Sequence, residues 1–128
     1  MPGGKGHNGS VRRILLLLAL VAPSAWAGLE WETTFRDVKA EPSEKSIAVT
    51  FPFRNTGPEA IAISSVQTSC GCTSAKPDIK DVPAVGKGTL DVRFDVGNRT
   101  VEQVKGIIVR TSDNEKHKLV LRVVLPNP

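Results

Sequence analysis

Apolar and polar residues alternate along most of the chain after residue 28. The segment SIAVTFPFRN, residues 46–55, carries an apolar residue at every second position: Ile47, Val49, Phe51 and Phe53. A period of two is typical of a β-strand with one buried face. Pro52 has no N–H to donate to a neighbouring strand. We therefore expect an edge position or a bulge at that point.

The same period recurs in the segments that follow. Residues 60–66 place Ile61 and Ile63 on one face. Val66 falls out of phase with them, which indicates a bulge near Ser64–Ser65. Two later segments, 89–96 and 117–125, alternate over their whole length, with the inward sets Leu90, Val92, Phe94, Val96 and Leu119, Leu121, Val123, Leu125.

The remaining segments complete an all-β pattern. Residues 104–112 predict another strand, residues 113–116 a hairpin-type turn, and residues 29–38 an additional strand. Residues 75–88 contain several prolines and glycines, which predict a loop with a short extended piece. No segment has a helical period. The pattern predicts an Ig-like antiparallel β-sandwich of about seven short strands, forming one domain over residues 28–128.

The N-terminal segment has the features of an export signal. A positive leader with Lys5, Arg12 and Arg13 precedes the short apolar run at residues 14–22. Ala25 and Ala27 supply the small residues that a signal peptidase recognises, so we expect a signal peptide over residues 1–27. Nine apolar residues are too few to span a bilayer. The mature protein is expected to be periplasmic or secreted, with no membrane span after cleavage.

Charge and composition narrow the classes of partner. The 128-residue chain has 17 basic and 13 acidic residues, a net charge of +4, and three of the basic residues lie in the leader. The mature part therefore carries 14 basic and 13 acidic residues, a charge of +1. A mature protein with this charge lacks the basic surface of a nucleic-acid-binding protein. With few aromatic residues and no Tyr, it also lacks an obvious stacking platform for bases.

The mature chain carries no catalytic constellation. His117 is its one histidine, and no nucleophile motif accompanies it. We interpret His117 as a surface residue in a turn. The chain is therefore predicted to be non-enzymatic and to need no cofactor.

Both cysteines of the chain lie in SVQTSCGCTSAKPD, residues 65–78, with only Gly71 between them. A disulfide requires Cα atoms roughly 4.4–6.8 Å apart, whereas residues two apart in a flat strand are separated by about 6.5 Å. A bridge between Cys70 and Cys72 therefore requires a bend, which Gly71 would allow. Export to an oxidising compartment favours such a bridge.

Two alternatives to a purely structural clamp remain open. A bridge between near neighbours contributes little stability, which leaves a thiol-redox role for Cys70 and Cys72. As thiolates, the same pair would suit a soft metal ion such as Cu(I). Few further ligands are available, because the mature chain has no Met and one His.

From Trp31 to about Val124, the chain resembles the bacterial Ig-like family of unknown function numbered 1573. The resemblance lies in FRNTG, SVQTSCGCT, GTLDVRFDV and KGIIVRTSD, and most specifically in Cys70-Gly71-Cys72-Thr73. It implies an exported protein with an Ig-like or sperm-protein-like sandwich fold, and it implies no activity.

These observations together predict an exported, non-enzymatic module that binds another protein or an envelope component. In this hypothesis Cys70 and Cys72 form a tight disulfide. The alternative is a thiol-redox or soft-metal protein that uses the same pair.

Overall fold

The computed structural model describes residues 28–126. The predicted signal peptide at 1–27, with Ala25 and Ala27 at its cleavage site, lies outside the described residues, as do residues 127–128. Within the described part, no helix is long and apolar enough to cross a membrane.

The described residues form nine strands. In chain order they are β1 (Leu29–Trp31), β2 (Phe35–Lys39), β3 (Ser46–Asn55), β4 (Ile61–Thr68), β5 (Thr73–Pro77), β6 (Asp81–Val82), β7 (Lys87–Asp95), β8 (Gln103–Thr111) and β9 (Lys116–Val124).

The strands form two sheets that enclose one core. The four-stranded sheet has the order β1-β3-β7-β5, and the five-stranded sheet has the order β2-β9-β8-β4-β6. The inward residues of β3, β7 and β9 are buried as their alternation predicts. The most deeply buried side chains include Phe51, Phe94, Leu90, Ile107, Leu119 and Leu121. Burial of this apolar surface is the main force that holds the two sheets together.

The predicted fold class, an all-β Ig-like sandwich, is confirmed, but the predicted number of strands is wrong. The segment 29–38 is divided between the sheets, with β1 paired to β3 and β2 paired to β9. The Pro- and Gly-containing segment 75–88 contributes to β5 and holds β6. The β2–β9 pair is parallel, which the one-face alternation did not predict. All other pairs are antiparallel, as predicted.

Of two local expectations about the strands, one is confirmed and one is wrong. The pairing of β4 with β8 shifts register between Ile63 and Ser65, which is the predicted bulge. Pro52 lies just beyond the three-residue strand β1, and its carbonyl accepts a hydrogen bond from the Glu32 N–H at 3.0 Å. β3 is an inner strand that stays in register with β7 through Pro52, so Pro52 is neither on an edge strand nor at a bulge. Its missing N–H is tolerated because the pairing of β3 with β1 ends at Phe53.

Candidate functional site

The two cysteines lie where the chain leaves one sheet for the other. β4 ends at Thr68 in the five-stranded sheet, and β5 begins at Thr73 in the four-stranded sheet. Between them, the Cα atoms of Cys70 and Cys72 are 5.4 Å apart, and their sulfur atoms are at disulfide-bonding distance. The pair therefore closes the corner of a crossover between the sheets.

Backbone hydrogen bonds fix this corner from both sheets. The Ser69 N–H donates to the Gly106 carbonyl at 3.0 Å, and the Asp95 N–H donates to the Cys72 carbonyl at 2.8 Å. The Thr68 hydroxyl donates to the Cys70 carbonyl at 3.1 Å. The bend is thus held by β8 on one side and β7 on the other.

The role expected for Gly71 is not the one observed. Its φ is outside the left-handed region that favours glycine, and a Cβ added to it would meet no atom within 4 Å. The bend therefore does not depend on glycine at this position. Gly71 is exposed, and its missing side chain leaves the outer side of the Cys70–Cys72 loop open to solvent.

Thr73 places a polar side chain at this corner of the core. It is buried, and its Oγ1 lies 3.8 Å from Cys70 Sγ and 3.7 Å from Cys72 Sγ. The Cys72 N–H also donates to Cys70 Sγ at 3.3 Å. Cys70 Sγ thus has two neighbouring donor groups, whereas Cys72 Sγ has the Thr73 hydroxyl.

A bridge of this kind contributes little to stability. The cysteines are two positions apart, and closing so small a loop is worth about 1.6 kcal/mol by the chain-entropy relation. A bridge that closes a 15-residue loop is worth about 3 kcal/mol by the same relation. Stabilisation of the fold is therefore a weak reason for placing two cysteines here.

Metal ligands are sparse around the pair. Among residues 28–126, no group of three or more His, Cys, Asp or Glu side chains is placed to hold an ion. A soft ion at this corner would draw its protein ligands from the two cysteine sulfurs.

His117 lies in a strand, as the prediction for residues 117–125 has it, and the interpretation of His117 as a surface residue in a turn is wrong. It lies in β9, and its ring centroid is 5.9 Å from that of Trp31, which in turn packs edge-on against Phe53 at 5.2 Å. Within the described part of the chain, neither His117 Nε2 nor Trp31 Nε1 has a hydrogen-bond partner, although both atoms are buried. Burial lowers the pKa of His117, against smaller opposing effects of the Asp113 and Glu115 charges.

The lowered pKa of His117 predicts a loss of stability in mild acid. Between about pH 6.5 and the lower pKa of the folded state, the unfolded chain binds the proton more readily than the folded one. The stability that the neutral His117 ring contributes is therefore fully present above this pH range and is lost as the pH falls through it. Denaturant unfolding at a series of pH values should show this decrease for the native chain and not for His117→Gln. Equal pH dependence of the two proteins would contradict the assignment.

The outer face of the five-stranded sheet carries apolar side chains that nothing in residues 28–126 covers. Phe35 of β2 is 50% exposed and Val104 of β8 is 59% exposed. Half-buried Val120 pairs with Phe35, and half-buried Ile108 lies on the same face of β8 as Val104. Contiguous exposed apolar residues of this kind commonly mark interaction surfaces. We call this surface, formed by the outward residues of β2, β9 and β8, the outer face.

Gly106 forms a depression in the outer face. It pairs with Val120, and a Cβ built on it would meet no atom within 4 Å. The depression has a volume of about 610 Å³ and is lined by Gln67, Thr68, Ser69, Gly106, Ile108 and Lys118. Ser69 directly precedes Cys70, so the cysteine corner lies at the rim of the outer face.

Charge is distributed unevenly over the outer face. At one end, Arg122 donates hydrogen bonds to both Asp37 and Glu102 and is neutralised by them. At the other end, Arg110, Lys116 and Lys118 form no ion pair with another described residue. The apolar centre is therefore bordered by three cations that have no acidic partner within residues 28–126. This surface was not predicted from the sequence, although apolar residues at both odd and even positions of β8 and β9 indicated it.

Several solved structures share this architecture. A protein of unknown function from Porphyromonas gingivalis W83 matches over 77% of this chain, with a TM-score of 0.66 and 16% identity. PapD-like domain 7 of human CEP192 matches over 80%, with a TM-score of 0.60, 10% identity and 86% of that domain covered. WR4, a C. elegans MSP family member, matches over 78%, with a TM-score of 0.55, 12% identity and 99% of that chain covered. At these identities the likeness shows the fold alone.

This chain spans 47% of the Porphyromonas gingivalis protein. A comparison with curated proteins finds no significant match. A family model described as "Protein of unknown function (DUF1573)" matches residues 29–124, which include all nine strands. That match confirms the family resemblance drawn from the sequence. The chain belongs to the DUF1573 family.

Proposed function

We propose that this chain is an exported, non-enzymatic module that binds a protein partner through the outer face. The uncovered apolar centre, with Phe35 and Val104 at least half exposed, is the observation that carries the proposal. The disulfide between Cys70 and Cys72 clamps the corner at the rim of this face. The PapD-like and MSP-like folds that the chain resembles suit such a role, because Ig-like sandwiches often act by presenting faces and edges to other proteins.

Charge specifies the chemistry of the partner. Arg110, Lys116 and Lys118 border the apolar centre without acidic partners in residues 28–126. A surface with apolar side chains and nearby carboxylates would complement both features. The partner in this proposal is therefore a protein with an acidic, partly apolar patch. Gly106 allows that patch to approach the backbone of β8 closely.

The test compares a double variant of the outer face with a matched control. Phe35→Glu combined with Val104→Glu places two carboxylates where the partner is expected to present apolar and acidic groups. Both positions are largely exposed, so folding should be unaffected. The control, Ala48→Glu combined with Thr50→Glu, makes the same charge change at exposed positions of the other sheet.

The three proteins would be immobilised and exposed to an envelope extract of the source organism, and captured proteins would be quantified by mass spectrometry. We expect a protein that the native chain and the control capture, and that the outer-face variant binds at least tenfold more weakly. Its capture should fall as salt is raised. Capture independent of the outer-face substitutions would overturn the proposal. So would preferential binding to anionic lipid vesicles, or a dimer of this chain that the same substitutions dissociate.

A further inference from the structure

We propose that Cys70 and Cys72 form a thiol–disulfide exchange site in which Cys70 is the leaving thiolate and Thr73 is its positioning hydrogen-bond donor. The proposal concerns chemistry at the rim of the outer face, and it stands independently of which partner binds there.

The hydrogen bonding of Thr73 favours the reduced state. Its hydroxyl is buried, and among the described residues its recorded contacts are with the two cysteine sulfurs. A disulfide sulfur has no proton and accepts hydrogen bonds weakly, whereas a thiolate accepts them strongly. The hydroxyl is therefore poorly satisfied beside the disulfide and well satisfied beside a thiolate. This difference stabilises the opened pair relative to the closed one.

The donor geometry distinguishes the two sulfurs. Cys70 Sγ accepts from the Cys72 N–H at 3.3 Å and lies 3.8 Å from the Thr73 hydroxyl. Cys72 Sγ has the Thr73 hydroxyl alone, at 3.7 Å. Negative charge is thus better stabilised on Cys70, which makes it the better leaving group in exchange.

The corner is partly open to an incoming thiolate, because both cysteines are half-buried, with Cys72 packed against the edge of the core. Gly71 is exposed, and no atom lies within 4 Å of the position its Cβ would take. The bridge closes so short a loop that opening it removes little constraint on the fold. The hydrogen bonds from Ser69 to β8 and from β7 to Cys72 hold the corner in place when the bond is broken.

The exchange proceeds in two balanced steps with a thiol as reductant. A thiolate from a dithiol protein or from glutathione attacks Cys72 Sγ. A mixed disulfide forms, and the electron pair of the broken S–S bond leaves on Cys70 Sγ. A second thiolate of the reductant, either in the same dithiol protein or in a second glutathione, then attacks the reductant sulfur of the mixed disulfide. The new bond joins the two reductant sulfurs, and Cys72 leaves as a thiolate. The protein gains two electrons and, once both sulfurs are protonated, two protons, while the two reductant thiols become one disulfide.

The test measures how readily the pair is reduced in glutathione redox buffers. The full chain would be equilibrated, acid-quenched and alkylated, and its free thiols counted by intact mass. Thr73→Val removes the donor and keeps the shape, and we expect the equilibrium constant for reduction to fall about tenfold. Thr73→Ser keeps the hydroxyl and should stay within about twofold of the native value. Thr68→Val is the matched control, because its hydroxyl contacts the Cys70 carbonyl and no sulfur.

An unchanged equilibrium constant in Thr73→Val would overturn the proposal, as would an equal shift in Thr68→Val. A second readout uses the native chain alone and does not depend on the variants folding. Brief reaction with glutathione, followed by peptide fragmentation, should locate the mixed disulfide on Cys72. Its location on Cys70, or reduction that occurs only at the rate of global unfolding, would contradict the assignment.

Discussion

Replacing Asn55 by Ala is expected to lower the free energy of unfolding by about 3 kcal/mol. Asn55 is completely buried at the end of β3. Its Nδ2 donates to the carbonyls of Glu59 at 2.7 Å, Val82 at 3.2 Å and Pro83 at 3.2 Å. Its Oδ1 accepts from the Gly57 N–H at 2.9 Å. One side chain therefore satisfies backbone groups of two separate loops, and its removal leaves them unpaired.

Asn55→Asp separates the hydrogen bonds of Asn55 from its volume, and Asn98→Ala serves as a surface control. Asn55→Asp keeps the size and the acceptor for Gly57 but replaces the donating amide with a buried carboxylate that faces carbonyl oxygens. At pH 7 it should be at least as destabilising as Asn55→Ala. Asn98→Ala, in an exposed turn, should change stability by less than about 0.5 kcal/mol. Denaturant unfolding measures all three, and a native-like Asn55→Asp would show that the amide contacts carry no weight.

Replacing Gly88 by Ala is the second change expected to have a large effect. A Cβ on Gly88 would lie 2.5 Å from Cζ of Phe53 and 2.8 Å from Cγ2 of Ile79. The Phe53 ring is buried and packs edge-on against Trp31, so it cannot move aside without displacing a second aromatic ring. Overpacking of this kind typically costs about 1–3 kcal/mol. We expect Gly88→Ala to lose about 2 kcal/mol in denaturant unfolding.

Gly106→Ala is the matched control for Gly88→Ala. Both glycines lie in long strands, but a Cβ on Gly106 meets no atom within 4 Å. Ala is also better suited than Gly to a strand interior, by roughly 0.5 kcal/mol. Gly106→Ala should therefore leave stability unchanged or raise it slightly. Similar losses in both variants would mean that the Phe53 contact does not determine the effect at Gly88.

Much of the sandwich could be predicted because local alternation records which residues face the core. The bounds of β3, the bulge after Ile63 and the inward sets of β7 and β9 all follow from that period. Alternation carries no information about which sheet a strand joins. Alternation therefore could not predict that residues 29–38 divide between two sheets or that β2 pairs with β9 in parallel.

The sites were harder to predict than the strands because they depend on contacts between distant segments. Closure of Cys70 with Cys72 was one of the alternatives that their spacing left open, and the burial of Thr73 against both sulfurs depends on the crossover to β5. The burial of Asn55 depends on loops that follow β3 and β6. The burial of His117 was missed because Trp31, its aromatic neighbour, lies more than 80 positions earlier in the chain.

A photoreactive phenylalanine analogue, placed at position 104 or at position 50, would test the central claim most directly. Position 104 lies on the outer face, and position 50 lies on the exposed surface of the other sheet. Irradiation in the source organism should crosslink position 104, and not position 50, to a protein that carries an acidic, partly apolar patch. Crosslinks from position 50 alone, equal crosslinks from both positions, or crosslinks from position 104 only to lipid or to a second copy of this chain would contradict the account.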